Sequence, residues 1–389
     1  MQNNKKPKIL FVGPTPPPYS GPELSMQQFL ESDSLNEAFD IKFLKTNFRK
    51  DNTKKGKLDL SMLGNFFSYF SRLLRLLFAH RFKCVYYPVT PTQIGWIGRD
   101  TWTILLSKLF GAKVIIHLRG SHFKLNFQTF NGVIKWLVGC SLRRVDRAIV
   151  QAAYLKDQFQ PYINESNVSV LYQAMDINVY SNSHNTAQED GKILIMGHMT
   201  KAKGYTDILK IIPDICEAYP HVKFYFAGNM RRGERGVFYN QYTGKKIQYE
   251  DPFEAEQHIL QSKYSGNYVN LGVISGDEKM KHIQSTAIFL TASYSEGFSR
   301  SLLEAMAMGK PVVYTPVGAH REVFEHGVHG YTFVPGDLEQ MKAGLTALLA
   351  NGSKRLEIGR TNRSYVVSNF SIERIASEFK SIIFKTLES

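Results

Sequence analysis

The chain has 389 residues, enough for two α/β domains with separate cores, and its net charge of +14 points to an anionic partner or acceptor. Three cysteines, Cys84, Cys140 and Cys216, lie far apart without metal-ligand spacing, which argues for a reducing compartment. The longest apolar stretch of the first hundred residues, Leu73 to Ala79, is interrupted by Arg75 and falls short of the ~20 apolar residues that a bilayer span needs.

In chain order, Lys8 to Gly13 reads as a first strand, and Pro14 and Pro16-Pro17-Pro18 cut its apolar run well below signal-peptide length. Asp40 to Leu44, Cys84 to Pro88, Lys113 to Leu118 and Ala148 to Gln151 follow as parallel strands separated by helical stretches. A polar run, Ser181 to Gln188, lacks apolar periodicity and marks a boundary near Met175 to Gly191. The rhythm then resumes with Lys192 to Gly197, Val222 to Gly228, Tyr268 to Gly272, Ala287 to Ala292, Pro311 to Thr315 and Tyr331 to Val334. Met230 to Glu250, rich in Arg, Gly and Tyr, is too long for an ordinary strand-to-helix loop and reads as a surface insertion. The last segment, Ser371 to Leu387, places Ile372, Ile375, Phe379, Ile382 and Ile383 on one helical face. The alternation predicts an α/β chain of two facing doubly wound, Rossmann-like domains, residues 1–175 and 176–370, closed by a helix over 371–389.

Charge is unevenly distributed. Residues 1–175 hold 24 Lys and Arg against 11 Asp and Glu, whereas residues 176–389 hold 24 against 23. Lys42 to Lys57 concentrates seven basic residues around Phe43, Leu44 and Phe48. Phe66 to Phe82 mixes aromatic rings and leucines with Arg72, Arg75 and Arg81. A basic amphipathic helix of this kind suits an anionic membrane surface, and a packed helix beside a solvated loop is the alternative.

The most informative stretch runs from Ala287 through Glu296-Gly297-Phe298-Ser299-Arg300 to Glu304 and on to Gly309-Lys310-Pro311-Val312-Val313. It reads as strand, loop, helix and strand, with Glu296 at the carboxyl end of a strand, where open α/β sheets bind ligands. Ser301-Leu-Leu-Glu304 also fits a capping box, in which the Glu satisfies a free backbone amide. Upstream, Gly197-His198-Met-Thr-Lys-Ala-Lys203-Gly204 forms a Gly-flanked loop after a strand. Downstream, Pro316-Val-Gly-Ala-His-Arg-Glu322 with Gly327 and Gly330 forms a turn region. In this order, these segments resemble the donor-site motifs of glycosyltransferase family 4, over roughly residues 167–389. The amino half resembles it more loosely, through Lys8 to Gly13, Gly21 and His117 to Gly120.

The resemblance implies the glycosyltransferase B fold, with an acceptor-binding amino domain, a nucleotide-sugar domain and a terminal helix that crosses back onto the first domain. It implies that Glu296 faces the donor sugar and that Glu304 accepts hydrogen bonds from the ribose hydroxyls. Gly297, Phe298 and Ser299 then offer backbone N–H groups to sugar and phosphate. A departing diphosphate needs positioned cations. Lys203 and Arg300 fit that need, Gly197 belongs to the Gly-flanked loop that resembles the family's phosphate-binding loop, and His198 stands where the family usually has Arg. Gly21 lets backbone approach the donor, although Pro22 replaces a second glycine. His117, Arg119 and His122 are alternatives for the residue facing the sugar, and Arg119 suits a phosphate or acidic sugar. His326 and His329 read as turn histidines, because no Cys or acidic partner completes a metal site.

These features predict a retaining glycosyltransferase of the cytoplasm, peripheral on the inner face of the cell membrane. It would move a hexosyl-type sugar from a nucleotide-diphosphate sugar to a hydroxyl of a glycan or lipid-linked acceptor in cell-envelope polysaccharide or glycolipid synthesis. No metal and no other cofactor is expected. A nucleotide-sugar epimerase of the same fold, a nucleic-acid-modifying glucosyltransferase and a non-catalytic nucleotide-sugar binding protein are the alternatives. No recognition-helix or RNA-binding signature supports the second.

Overall fold

A computed structural model describes residues 6–17, 19, 21–46, 60–180, 189–230 and 239–389, with backbone alone for 60–63 and 65. Parts of three sequence-predicted features lie outside the described residues: the boundary run 181–188, residues 47–57 of the basic segment, and residues 231–238 of the insertion. The chain forms two units, Met1–Ala174 with Ile372–Ser389, and Met175–Ser371.

The first unit holds a parallel six-stranded sheet of β1 (Lys8–Gly13), β2 (Asp40–Lys45), β3 (Cys84–Val89), β4 (Lys113–Leu118), β5 (Arg147–Val150) and β6 (Val168–Val170), in the order β2-β1-β3-β4-β5-β6. Ile9 to Val12 and Ile115 to Ile116 are fully enclosed because helices cover both faces, which is why these strands read as unbroken apolar runs. The helix Ile372–Glu388 belongs to this unit. Its Ile375, Phe379 and Ile383 enter the same core as Ile9, Phe11 and Phe29, and the Phe379 ring lies 4.7 Å from that of Tyr86.

The second unit repeats the plan with β7 (Lys192–Met196), β8 (Lys223–Ala227), β9 (Tyr268–Gly272), β10 (Ile288–Thr291), β11 (Val312–Tyr314) and β12 (Gly330–Thr332), in the order β12-β11-β10-β7-β8-β9. Every pairing in both sheets is parallel. Ile193, Phe224, Phe226, Ile288 and Leu290 fill its core together with Ile208, Ile211 and Ile212 of the helix Tyr205–Ala218.

Eleven strands follow the sequence pattern, and β6 is additional. It has three residues and follows a one-turn 3-10 helix, Glu165–Asn167, so it is too short to show a period. The apolar face of Leu60–Ala79 is packed, with Tyr69, Leu73 and Leu77 buried, while Phe67, Arg75 and Phe78 point outward. Among the described residues no helix is long and apolar enough to cross a membrane.

Candidate donor site

In the second unit β7 and β10 are neighbours, and the chain advances from β7 to β8 and β9 on one side and from β10 to β11 and β12 on the other, so the strand order reverses between them. Such a switch point opens a crevice at the carboxyl ends of the strands. Gly197 to Lys203 follow β7 and Ser293 to Glu296 follow β10, so the two motif loops meet at this point. A pocket there is lined by Gly197, His198, Lys203, Tyr205, Thr291 and Ser293, among others.

The loop after β7 turns on Gly204, whose φ is +71°, and a Cβ there would run into the Ala292 carbonyl. Its two lysines have different fates. Lys201 is buried and held by Asp207 at 2.5 Å and Glu250 at 3.0 Å; the Tyr294 hydroxyl also donates to Asp207. Burial acts against the Lys201 charge, but Asp207 and Glu250 outweigh it and raise its pKa. Lys203 remains more open and reaches across the crevice to Glu296, Nζ to Oε1 2.5 Å. His198 is exposed beside it.

Glu296 is fixed from three directions. Lys203 and the Ser293 hydroxyl, at 2.8 Å, both donate to Oε1, and the Glu296 backbone carbonyl accepts from Gln241 Nε2 at 3.0 Å. Burial opposes the carboxylate, yet the Lys203 charge and hydrogen bond, the nearby His320 and Ser293 keep its pKa below the ordinary value. The group is therefore an anion at neutral pH.

His320 and Gln241 organise this loop, and neither had been singled out from sequence. His320 Nε2 accepts from the Ser299 amide at 3.2 Å, and its Nδ1 lies 3.2 Å from the Thr315 carbonyl oxygen. Burial pushes its pKa down to about 4, so it is a neutral imidazole, consistent with Nδ1–H donating to that carbonyl. Gln241 joins two turns, donating to Glu296 and accepting from the Gly318 amide at 2.8 Å. Residues 239–250 lie largely at the surface, as the sequence predicts for an insertion, and are attached to the site through Gln241, Ile247 and Glu250.

Two expectations for the following helix change. It spans Arg300–Ala307 and is capped by Ser299, whose Oγ accepts from Leu302 N; Ser301 is not the cap. Glu304 is therefore no capping-box residue. It is buried and takes Lys279 at 3.0 Å, Tyr180 at 3.1 Å and Arg300 at 3.3 Å on Oε1. Arg300 is correspondingly engaged with Glu304. The Ser299 amide, expected to face a ligand, is already used by His320. Phe298 points its ring into the core against Phe370, at 5.2 Å, so only its backbone borders the loop. Gly297 is tied down through its carbonyl, which accepts from Ala319 N at 2.8 Å.

In the first unit, His117 lies at the end of β4 and is buried. Its Nδ1 lies 2.8 Å from the Tyr86 hydroxyl, which also accepts from Arg119 at 3.3 Å. Burial first, then the Arg119 charge, holds its pKa well below the usual histidine value. Its Nε2 is enclosed without a hydrogen-bond partner, as is Arg119 Nε. His122 is buried nearby. Gly21 opens the helix Gly21–Glu31, and a Cβ there would meet no protein atom within 4 Å, so internal packing does not require the glycine.

Of the turn histidines, His329 is buried and accepts from the Glu325 amide, whereas His326 is exposed and accepts from the Thr332 amide. Among the described residues no group of three or more His, Cys, Asp or Glu is placed to hold a metal ion.

Residues 176–365 match the family model described as glycosyl transferases group 1. Among curated proteins, the chain is 26% identical to spore coat protein SA of Bacillus subtilis, over 57% of this chain and 59% of that protein's length. It is 20% identical to an uncharacterized glycosyltransferase of Methanocaldococcus jannaschii, over 96% of this chain and 97% of that one. Among solved structures, Anabaena HepE in complex with UDP superposes with a TM-score of 0.67 at 17% identity, covering 97% of this chain and all of that chain, which shows a shared fold of the glycosyltransferase B kind.

Proposed function

We propose that the protein is a glycosyltransferase that moves a hexosyl-type sugar from a nucleoside-diphosphate sugar to a hydroxyl of a glycan or lipid-linked acceptor, with retention at the anomeric carbon. The observation that carries this reading is the Lys203–Glu296 pair at the switch point between β7 and β10. It offers a cation for a diphosphate and a fixed anion beside it for positive charge developing on a sugar ring. The anomeric C–O bond to the diphosphate breaks, and the acceptor oxygen forms a new bond on the same face. The acceptor proton passes to the departing phosphate oxygen. Lys203 leaves Glu296 for the diphosphate as the donor enters, so the ion pair holds both groups in readiness.

Glu304, with Lys279 and Arg300 around it, forms the recognition site for the nucleoside part in this reading. Within the first unit, buried His117, whose Nε2 has no partner, and Arg119 beside it are the candidate groups for the sugar in this reading. The basic balance of residues 1–175 supports an acceptor at the inner face of an anionic membrane, in cell-envelope polysaccharide or glycolipid synthesis. Lys203 and backbone dipoles carry the phosphate charge without a divalent metal.

The test is calorimetric titration with UDP, GDP and ADP sugars in the absence of divalent metal, for the native chain, Lys203→Ala and Glu304→Ala. Binding of one nucleotide class, weakened about tenfold or more by each substitution, is expected from the loss of charge-assisted hydrogen bonds. Absence of binding, or binding indifferent to both changes, would overturn the assignment.

A further inference from the structure

The first unit presents a helical layer whose outer side is apolar and cationic at once. In the order β2-β1-β3-β4-β5-β6, the connections β2 to β3, β3 to β4 and β4 to β5 all advance the same way across the sheet. Right-handed crossovers then bring their helices, Leu60–Ala79, Thr101–Leu109 and Gly132–Leu142, to one face. Contacts join neighbouring members of the layer. The Tyr69 hydroxyl lies 2.7 Å from Thr103 Oγ1, the Phe78 ring meets that of Phe110 at 4.7 Å, and Gly132–Leu142 packs on Thr101–Leu109. The opposite face carries the helices Gly21–Glu31 and Ile372–Glu388.

Each helix of the layer directs large apolar side chains outward: Phe67 and Phe78, Trp102 and Leu109, Val133 and Trp136, with exposures from 44% for Trp102 to 79% for Phe67. They fall on single stripes. Phe67, Ser71, Arg75 and Phe78 follow one line of the first helix, and Val133, Trp136, Cys140 and Arg143 one line of the third. Residues 60–146 contain 12 Lys and Arg and only two acids. Of those acids, Asp100 is buried, and Asp146 is taken by Lys108 and Lys113. Arg75, Arg81, Lys83, Arg143 and Arg144 are exposed. Where the first two helices end, a cavity of about 420 Å³ has Leu77, Phe78, Phe82 and Phe110 for its apolar walls and Arg81 and Lys83 as its cations.

We propose that this three-helix layer docks on an anionic lipid bilayer, with Phe67, Phe78, Trp102, Leu109 and Trp136 entering the headgroup region and the Arg81–Lys83 cavity seating one phospholipid headgroup. The apolar side chains project singly, with cations among them. That spacing lets lipid headgroups fit between the rings, as amphipathic surfaces do at membrane interfaces. The proposal rests on the glycosyltransferase reading only in taking the enzyme to work at a membrane.

The test is co-sedimentation of the full chain with vesicles of phosphatidylcholine alone and of phosphatidylcholine with phosphatidylglycerol. Binding to the anionic vesicles only is expected, falling about fivefold for each cation removed in Arg75→Gln, Arg81→Gln and Lys83→Gln. Phe78→Ser with Trp136→Ser should weaken it further without changing the salt dependence. Val273→Ser with Lys223→Glu, exposed changes in the second unit, should leave it intact. Equal binding to neutral vesicles, no vesicle binding, or indifference to the first-unit substitutions would overturn the proposal. So would a dimer that dissociates with the same substitutions in the absence of lipid, since a second copy would then cover the face. Sugar-nucleotide titration of the same variants separates the two claims: intact nucleotide binding without vesicle binding removes the docking face alone, and the converse removes the donor assignment alone.

Discussion

The two units share a sheet plan and differ in how they use charge. In the second unit the charged groups nearest the switch point are answered: Lys201 by Asp207 and Glu250, Lys203 by Glu296, and Lys279 and Arg300 by Glu304. In the first, residues 60–146 carry many more cations than acids, and the outer helices leave arginines and aromatic rings exposed. Internally answered charge builds a site whose groups stand ready for a small anion. Unanswered charge beside apolar side chains builds a surface for an extended one. One doubly wound plan thus carries two arrangements of charge, which the proposals above assign to two kinds of recognition, and substitutions in each unit separate them.

The largest expected effect is at the Glu296 carboxylate. Glu296→Gln keeps the shape of the loop and removes its negative charge. Hydrolysis or transfer of the bound sugar should fall by about 10²–10³-fold. Nucleoside diphosphate affinity, measured on the same preparation, should change little. Unchanged turnover would show that the anion does not act on the sugar.

The next contrast lies within one loop. Lys201→Ala removes the closest cation from buried Asp207, leaving it the Tyr294 hydroxyl and Lys210 at 3.9 Å, and chemical denaturation should show a loss of about 3 kcal/mol. Lys203→Ala, at the edge of the crevice, leaves Glu296 with the Ser293 hydroxyl and should cost less, about 1–2 kcal/mol, in the same experiment. Equal losses would mean that Lys203 is structural.

Histidine 320 predicts a pH dependence. Its pKa in the folded protein is about 4 against the usual 6.5, so the unfolded chain binds the proton more readily. The stabilisation is fully present above pH 6.5 and is lost as pH falls from there toward 4. His320→Gln, which keeps a donor and an acceptor, should flatten the stability profile by roughly 1–3 kcal/mol across that window. Parallel profiles for the two proteins would contradict the neutral, buried imidazole.

A smaller effect is expected in the first unit, at the Tyr86 hydroxyl between His117 and Arg119. Tyr86→Phe should lower turnover by a factor of about 3–10, the value of one neutral hydrogen bond, and leave nucleotide affinity unchanged. A matching loss of affinity would assign the Tyr86 cluster to the nucleotide.

Much of this was legible in the sequence, because parallel strands buried on both faces leave continuous apolar runs and the motif loops follow directly after them. Lys8–Gly13, Lys113–Leu118 and Tyr268–Gly272 carry the same bounds in both readings. The positions of Glu296 and Lys203 in loops after strands were readable because those loops are local. Contacts between distant segments were not. Gln241 lies 55 residues before Glu296 and His320 lies 21 after Ser299, and neither spacing has a local period. Ser299 and Ser301 are both acceptable helix caps by residue type, and only the path of the chain between β10 and the helix decides for Ser299. The opposing fates of Lys201 and Lys203 depend on which way each side chain leaves the loop, Lys201 to Asp207 and Glu250 and Lys203 to Glu296, so composition alone makes the two lysines look equivalent.

On the proposed function, the ligand of the second unit enters the crevice where the loops after β7 and β10 meet. Amide hydrogen exchange of the unmodified chain with and without a saturating nucleoside diphosphate tests it most directly. Exchange should slow in Gly197–Tyr205 and Ser293–Ser301 and remain unchanged in the outer helices of the first unit. Slowing confined to the first unit, or none in these two loops under saturating ligand, would contradict it.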